Sequence, residues 1–139
     1  MSFVVDASIA LAWCFEDEQT EAVLALLDRL TEFGAVAPQL WPLEVLNGLL
    51  MAERRGRLTP GLREKLAGLL RDLPVTIDDE TASQAWDGIA RLAEDQKLSL
   101  YDAAYLELSL RRRLPLATKD ADLAAAAERA GAGLLGAYN

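Results

Sequence analysis

The chain has 139 residues, 52% of them hydrophobic and 26% charged, which predicts one globular domain over residues 1–139 and excludes a disordered chain. With no histidine and a single cysteine, the sequence excludes a histidine base, the usual zinc hydrolase sites and an internal disulfide. The formal net charge of −8 argues against a nucleic-acid partner unless several acids bind cations. No secretory signal and no apolar run of about 20 residues is visible, so we expect a soluble cytoplasmic protein that does not enter the membrane.

Short β-like runs alternate with helical runs along the chain. In chain order we predict strand 2–5, helices 7–15 and 20–33, strand 35–37, helices 43–55 and 60–73, strand 75–77, helices 80–95 and 99–113, strand 115–118, helix 120–130 and an edge strand 133–137. This alternation implies parallel pairing. The predicted fold class is α/β, a three-layer α/β/α sandwich around a mostly parallel five-stranded sheet. Ligands of such sheets bind beyond the carboxyl ends of the strands.

Four acids are placed to meet at that edge. Asp6 follows the first strand and Asp120 the fourth, while Glu44 and Asp102 lie early in helices that begin near the same edge. Each has a simpler explanation alone, as a helix N-cap, as part of a capping box or as a solvated helix residue. Glu44 and Asp102 lie inside apolar sequences, however, where a lone buried carboxylate is costly.

Clustered carboxylates predict a cation. Two full charges about 5 Å apart repel by roughly 3 kcal/mol at an effective dielectric of ~20. Ligand sets made only of oxygen favour Mg²⁺ or Mn²⁺. Such an ion activates water and stabilises the charge of a phosphoryl transition state, so the acids predict phosphodiester hydrolysis without histidine.

Four segments resemble the successive motifs of the PIN domain and are most similar to the VapC-type toxins. They are Val4-Val5-Asp6-Ala7-Ser8, Leu43-Glu44-Val45-Leu46-Asn47, Leu100-Tyr101-Asp102-Ala103-Ala104-Tyr105, and Leu116-Ala117-Thr118-Lys119-Asp120-Ala121-Asp122-Leu123. Their order and spacing match that group over nearly the whole chain.

The resemblance implies an endoribonuclease that is the toxin of a toxin–antitoxin pair. It further implies a sheet order of 3-2-1-4-5, a homodimer and inhibition by a small antitoxin protein. Carried over residue by residue, it makes Asp6, Glu44, Asp102 and Asp120 the catalytic acids and the ligands of Mg²⁺ or Mn²⁺. Ser8 and Thr118 are the supporting hydroxyls, and Asp122 is a spare acid beside Asp120.

The cations allow two interpretations. Arg54, Arg55 and Arg57 end one predicted helix and Arg111, Arg112 and Arg113 end another, where they complement the helix dipole or contact RNA phosphates. Lys119 is a candidate RNA contact because it adjoins Asp120.

The three tryptophans, Trp13, Trp41 and Trp86, lie among apolar residues, so we expect core or interface positions. In the helix predicted over residues 80–95, Trp86 shares its apolar face with Ala82, Ile89 and Leu92.

Other functions fit the acids less well. A receiver-type signalling domain needs adjacent acids near the first strand, where Asp6 stands alone, and an Asp-x-Asp phosphatase needs an acid where Ser8 lies. Two further alternatives keep the family: a PIN nuclease outside any toxin–antitoxin pair, and an inactive PIN scaffold that only binds a partner.

Overall fold

The fold was analysed in a computed structural model that describes residues 1–136. Five parallel strands form one sheet in the order β3-β2-β1-β4-β5, which confirms the predicted class and order. The strands are β1 (Val4–Val5), β2 (Ala35–Ala37), β3 (Val75–Ile77), β4 (Leu116–Thr118) and β5 (Leu134–Gly136). Ala137, which we predicted as the end of the fifth strand, lies outside the described residues.

The helices occupy the predicted segments with ends shifted by a few residues. They are α1 (Ala7–Cys14), α2 (Glu21–Phe33), α3 (Trp41–Arg54), α4 (Pro60–Arg71), α5 (Thr81–Gln84), α6 (Ala90–Gln96), α7 (Leu100–Arg112) and α8 (Ala121–Ala130), with a 3-10 turn at Glu16–Glu18 and a π-helical turn at Ala85–Ile89. Helix α1 contacts α2 and α3, and α3 contacts α4, while α7 contacts α6 and α8. These are the two helical layers that right-handed crossovers produce from this strand order. Within the described residues, no helix has the length and apolar character to cross a membrane.

Polar side chains begin several helices as the sequence predicted. The Thr59 hydroxyl accepts a hydrogen bond from the Leu62 N–H at 3.1 Å, and the Ser99 hydroxyl accepts one from the Asp102 N–H at 3.1 Å. Each satisfies a backbone donor that the first turn leaves without a partner. Gly131 ends α8 in the left-handed region with φ of 82°, where a residue without Cβ is favoured.

The helical segment 81–96 does not have the amphipathic face that the sequence predicted. Trp86, predicted to share a buried face with Ala82 and Ile89, is 90% exposed, whereas Ile89 is 3% exposed. The π-helical turn Ala85–Ile89 explains the error, because it holds more residues than an α-helical turn and rotates the face that follows it. The core alternative for Trp86 is therefore wrong, whereas an interface position stays a prediction. Trp41 is 4% exposed and lies in the core, as predicted.

Gly48 brings α3 close to α1. A Cβ at this position would overlap the methyl groups of Leu11 on α1, so a side chain here would require Leu11 to move. Glu44 lies one turn before Gly48 on the same helix, and Asp6 immediately precedes α1. The helix contact at Gly48 therefore helps to set the position of Glu44 relative to Asp6.

We predict that Gly48→Ala lowers the free energy of unfolding by about 1 kcal/mol, because overpacking at Leu11 outweighs the better helix propensity of alanine. Gly68→Ala is the matched control in α4, where a Cβ meets nothing within 4 Å, and should gain about 0.5–1 kcal/mol. Urea denaturation of both variants provides the measurement. In a Leu11→Ala background the penalty of Gly48→Ala should disappear, and a penalty that persists there would contradict the proposed contact.

Candidate active site

The four predicted acids lie at the carboxyl edge of the sheet or at helix ends that adjoin it. Asp6 follows β1, Asp120 is the N-cap of α8 two residues beyond β4, and Glu44 and Asp102 lie in the first turns of α3 and α7. Burial raises the pKa of Glu44 and of Asp102, and neighbouring charges raise them further: those of Asp6 and Asp102 act on Glu44, and those of Asp120 and Asp6 act on Asp102. The structure therefore brings together residues that are far apart in the sequence.

Asp6 is the buried member of the group, with 6% of its surface exposed. The hydroxyls of Ser8 and Thr118 both donate hydrogen bonds to its Oδ2, at 2.7 and 2.6 Å. Each hydroxyl in turn accepts a backbone N–H, from Lys119 to Ser8 Oγ and from Asp120 to Thr118 Oγ1, both at 3.0 Å. Since an N–H can only donate, both hydroxyl protons are directed at Asp6.

This network decides how Asp6 is held. Burial raises the pKa of Asp6, and the hydrogen bonds from Thr118 and Ser8 act in the opposite direction. Donated hydrogen bonds favour the carboxylate over the carboxylic acid. The two hydroxyls that the resemblance assigned a supporting role thus link the end of β4 to the residue that follows β1.

Glu44 is held by a residue to which the sequence analysis gave no role. The phenol of Tyr105, fully buried in α7, donates to Glu44 Oε1 at 2.5 Å. Burial, together with the nearby charges of Asp6 and Glu44, raises the pKa of Tyr105, so the phenol keeps its proton and remains a donor. A weak signal was available, because Tyr105 lies three residues after Asp102 and shares its side of the helix.

Asp120 combines a capping role with its place in the site. Its Oδ1 accepts the N–H groups of Asp122 and Leu123 at 2.9 and 3.2 Å, which is an N-cap of α8. Asp122 is exposed, and its charge also raises the pKa of Asp102. Asp122 therefore lies beside the group, as its place in the sequence predicted.

Within residues 1–136 these acids lack cationic partners. Among the described residues, Asp6, Glu44, Asp102 and Asp120 form no ion pair. Burial, followed by the charges of Asp120, Asp6 and Asp122, raises the pKa of Asp102 to about 6. Nothing in the described part of the chain neutralises this negative charge, although each carboxylate is positioned by the fold.

Two of the candidate RNA-contacting arginines, Arg111 and Arg112, are engaged elsewhere. Arg111 binds Asp78 at 2.7 Å, Glu107 at 2.8 Å and Glu80 at 3.0 Å, and Arg112 binds Asp78 at 2.9 Å. Asp78 is 1% exposed, so these arginines compensate a buried charge at the end of β3. Lys119 Nζ lies 3.3 Å from Glu18 Oε1.

A second acidic group is more compact but differs in its surroundings. Within residues 1–136, Asp78, Asp79 and Glu80 are the one trio with carboxylate oxygens all within 4.8 Å of one another. Arg111 and Arg112 already bind this group, and hydrogen bonds and charge from them lower the pKa of Asp78. Its negative charge is thus compensated by the protein itself, which makes it a poor candidate for a metal site.

The four acids fit a hard divalent cation by the chemistry of their donors. All offer carboxylate oxygen, the donor that Mg²⁺ and Mn²⁺ prefer, and none is compensated by a described cation. Their oxygens are spread more widely than those of the Asp78 group. Mg²⁺ usually keeps several waters, so it does not require direct contact with every acid.

The family model of the PIN domain matches residues 3–129. The chain therefore belongs to the PIN domain family, whose members are nucleases. No curated protein matches the chain in sequence.

Solved structures share this fold over nearly the whole chain. PAE2754 from Pyrobaculum aerophilum aligns with a TM-score of 0.70 and 22% identity, covering 97% of this chain and 90% of that one. FitAcB from Neisseria gonorrhoeae aligns with a TM-score of 0.68 and 16% identity, covering 98% and 97%. VapC20 from Mycobacterium tuberculosis, a toxin that cleaves the sarcin–ricin loop, aligns with a TM-score of 0.58 and 18% identity, covering 95% and 96%. At these identities the likeness shows a common fold.

The raised pKa of Asp102, about 6 in the folded chain against 3.8 as its ordinary value, predicts a pH dependence of stability. The folded state holds this proton more tightly, so without metal the stability falls as pH rises from about 4 to about 6. Two pKa units correspond to about 3 kcal/mol, which solvent screening of this half-buried group reduces to about 1 kcal/mol. With chelator at pH 7, Asp102→Asn should therefore raise the melting temperature by about 3–5 °C.

The advantage of Asp102→Asn should vanish at about pH 3, below both pKa values, where the wild-type carboxyl is largely protonated in both states. Thermal melts across this range, followed by circular dichroism, provide the measurement. Equal melting temperatures of the two proteins at pH 7 in chelator would show that burial and the neighbouring charges do not make the ionised Asp102 destabilising.

Proposed function

We propose that the chain is an endoribonuclease that hydrolyses RNA phosphodiester bonds with Mg²⁺ or Mn²⁺ held by Asp6, Glu44, Asp102 and Asp120. The observation that carries this proposal is the uncompensated charge of the four acids, which lie together at the carboxyl edge of a PIN-family sheet. When bound, the ion supplies Lewis-acid chemistry that activates water and stabilises charge on the phosphoryl group.

The residues of the chain position this chemistry. Ser8 and Thr118 orient the Asp6 carboxylate through Oδ2, and Tyr105 orients Glu44 through Oε1. Asp102 and Asp120 approach from the starts of α7 and α8. The Ser99 cap holds the backbone of Asp102, and the cap that Asp120 itself provides holds its side chain. A site held by such contacts is ordered before the substrate arrives, which lowers the reorganisation that the reaction requires.

We further propose that the protein is the toxin of a toxin–antitoxin pair, acts in the cytoplasm and forms a homodimer. Support comes from the motifs of the VapC type and from the shared fold with VapC20, itself described as a toxin. Two exposed apolar features suit protein partners: the indole of Trp86 and a cleft of about 590 Å³ lined by Trp41, Val45, Leu46 and neighbours on α4 and β3. Lys119 remains a proposed RNA contact, which requires its ion pair with Glu18 to open.

Asp6→Asn should reduce RNA cleavage by roughly 100-fold or more, since loss of a ligand should cost at least as much as loss of an outer contact. It should also remove most of the stabilisation that Mn²⁺ gives the wild type, which amounts to about 2.7 kcal/mol at 100 times the Kd and is observed as a rise in melting temperature. Cleavage of labelled RNA and thermal shifts with and without Mn²⁺ give both readouts. Circular dichroism checks that the variant is folded.

Asp79→Asn is the matched control, because it removes the same charge from the other acidic group. It should leave both cleavage and the Mn²⁺ effect unchanged. If Asp79→Asn abolishes the thermal shift and Asp6→Asn does not, the metal site has been assigned to the wrong acids. A folded wild-type protein that cleaves no RNA with either metal would favour an inactive scaffold.

The toxin proposal predicts that expression of the wild-type chain arrests bacterial growth, while Asp6→Asn does not. Co-expression of the small protein encoded next to it should restore growth, and the two should purify as one complex in which cleavage is inhibited. Active enzyme whose expression leaves growth unaffected, and which the neighbouring product does not inhibit, would indicate a PIN nuclease outside any toxin–antitoxin pair.

A further inference from the structure

A cleft of about 520 Å³ lies between α8 and the end of α6 and is called here the α6–α8 cleft. Gln96, Lys97, Asp122 and Arg129 line it, together with Asp95 and apolar residues. Asp122 connects the cleft to the candidate active site, because its N–H donates to Asp120 and its charge acts on Asp102. The cleft therefore adjoins the candidate active site at Asp122.

Arg129 is oriented in this cleft. Its Nε donates to Gln96 Oε1 at 2.9 Å, a bond that joins α8 to α6 across 33 positions of sequence. Among the described residues, the two Nη groups form no hydrogen bond or ion pair. One edge of the guanidinium is thus held by the protein, while its remaining donors stay available. A planar fork of this kind matches the oxygens of a phosphate group.

Lys97 lies on the same cleft in an unusual backbone conformation. It ends α6 in the left-handed region, with φ of 57° and ψ of 44°, a position that glycine occupies at lower cost. A lysine here costs free energy in the folded state, and its backbone role as a C-cap does not require the side chain. Lys97 is exposed and lies two residues before Ser99, which caps the helix that carries Asp102.

Three other candidate RNA contacts are already in ion pairs with acids of the chain. Arg111 and Arg112 bind Asp78, and Lys119 contacts Glu18. Lys97 and Arg129 have no such partner in the described part of the chain and line a cleft that reaches Asp122. Two acids in the cleft, Asp95 and Asp122, offset the charge of these two cations, so binding here depends on short-range donors rather than on long-range attraction.

We propose that the α6–α8 cleft is a subsite for a backbone phosphate of the RNA strand, next to the cleaved bond, with Arg129 and Lys97 as its donors. This inference rests on the proposed ribonuclease function. In this proposal Arg129 and Lys97 contact the strand in place of the candidate arginines Arg111, Arg112 and Arg113 at the end of α7. Gln96 is the positioning residue for Arg129.

The structure offers a matched pair of variants. Among residues 1–136, Lys97 and Arg113 are the two residues other than glycine with a positive φ. Arg113, with φ of 54°, is also an exposed cation that ends a helix. It lies at the far end of α7 from Asp102, about 16 Å away along the helix axis at 1.5 Å per residue. Lys97→Gly and Arg113→Gly therefore remove one charge each and relieve the same backbone strain, but only Lys97 lines the cleft.

The measurement is the affinity of a labelled random-sequence single-stranded RNA pool over a salt series, in an Asp6→Asn background that prevents cleavage. Lys97→Gly and Arg129→Ala should each weaken binding by about 5- to 10-fold and lower the salt slope by about 0.7. Arg113→Gly should change affinity by less than about 2-fold. Both glycine variants should keep or raise the melting temperature, whereas a purely structural role of Lys97 would leave affinity unchanged.

Equal losses in Lys97→Gly and Arg113→Gly would show that affinity follows net charge alone and would overturn the subsite. Unchanged affinity in both Lys97→Gly and Arg129→Ala would also overturn it, while RNA cleavage by the chain with Asp6 intact would leave the proposed function standing. If that chain neither cleaves nor binds RNA, the proposed function fails, and the subsite fails with it.

Discussion

The mutual repulsion of four carboxylates is the constraint around which this structure is arranged. Asp6, the most buried of them, is held by hydroxyl groups and backbone rather than by a cation. Hydrogen bonds of this kind keep a carboxylate in place without cancelling its charge. The short strands β1 and β4 serve this arrangement, because their pairing brings Thr118 to Asp6 across 112 positions of sequence.

The acids discussed above fall into two groups, according to whether an arginine compensates their charge. Asp78 and Glu107 are nearly inaccessible to solvent and are compensated by Arg111, so they act as structural charges that tie the end of β3 to α7. The four acids of the candidate site receive no such partner within the described residues. This division, more than the closeness of the oxygens, separates a structural acidic group from one that is suited to bind a cation.

The sequence predicted those features that depend on residues close together in the chain, and it missed contacts between distant residues. Asp6 and Asp120 were predictable because a residue that follows a parallel strand lies at a known edge, and Ser99 and Thr59 because caps act within one turn. The contact between Tyr105 and Glu44 was not, because it joins residues 61 positions apart. The pairing of Arg111 with Asp78 was missed for the same reason. Helical periodicity failed at Trp86, where the helix itself changes its period.

The π-helical turn Ala85–Ile89 also bears on how this chain should be aligned with its relatives. Such a turn accommodates a residue more than an α-helical turn does. Against a relative whose helix is α-helical throughout, an ungapped alignment of residues 81–96 therefore shifts one half of the helix by one position, a rotation of about 100°. The gap belongs inside this helix rather than in a loop, and without it buried Ile89 would be equated with a surface residue of the relative.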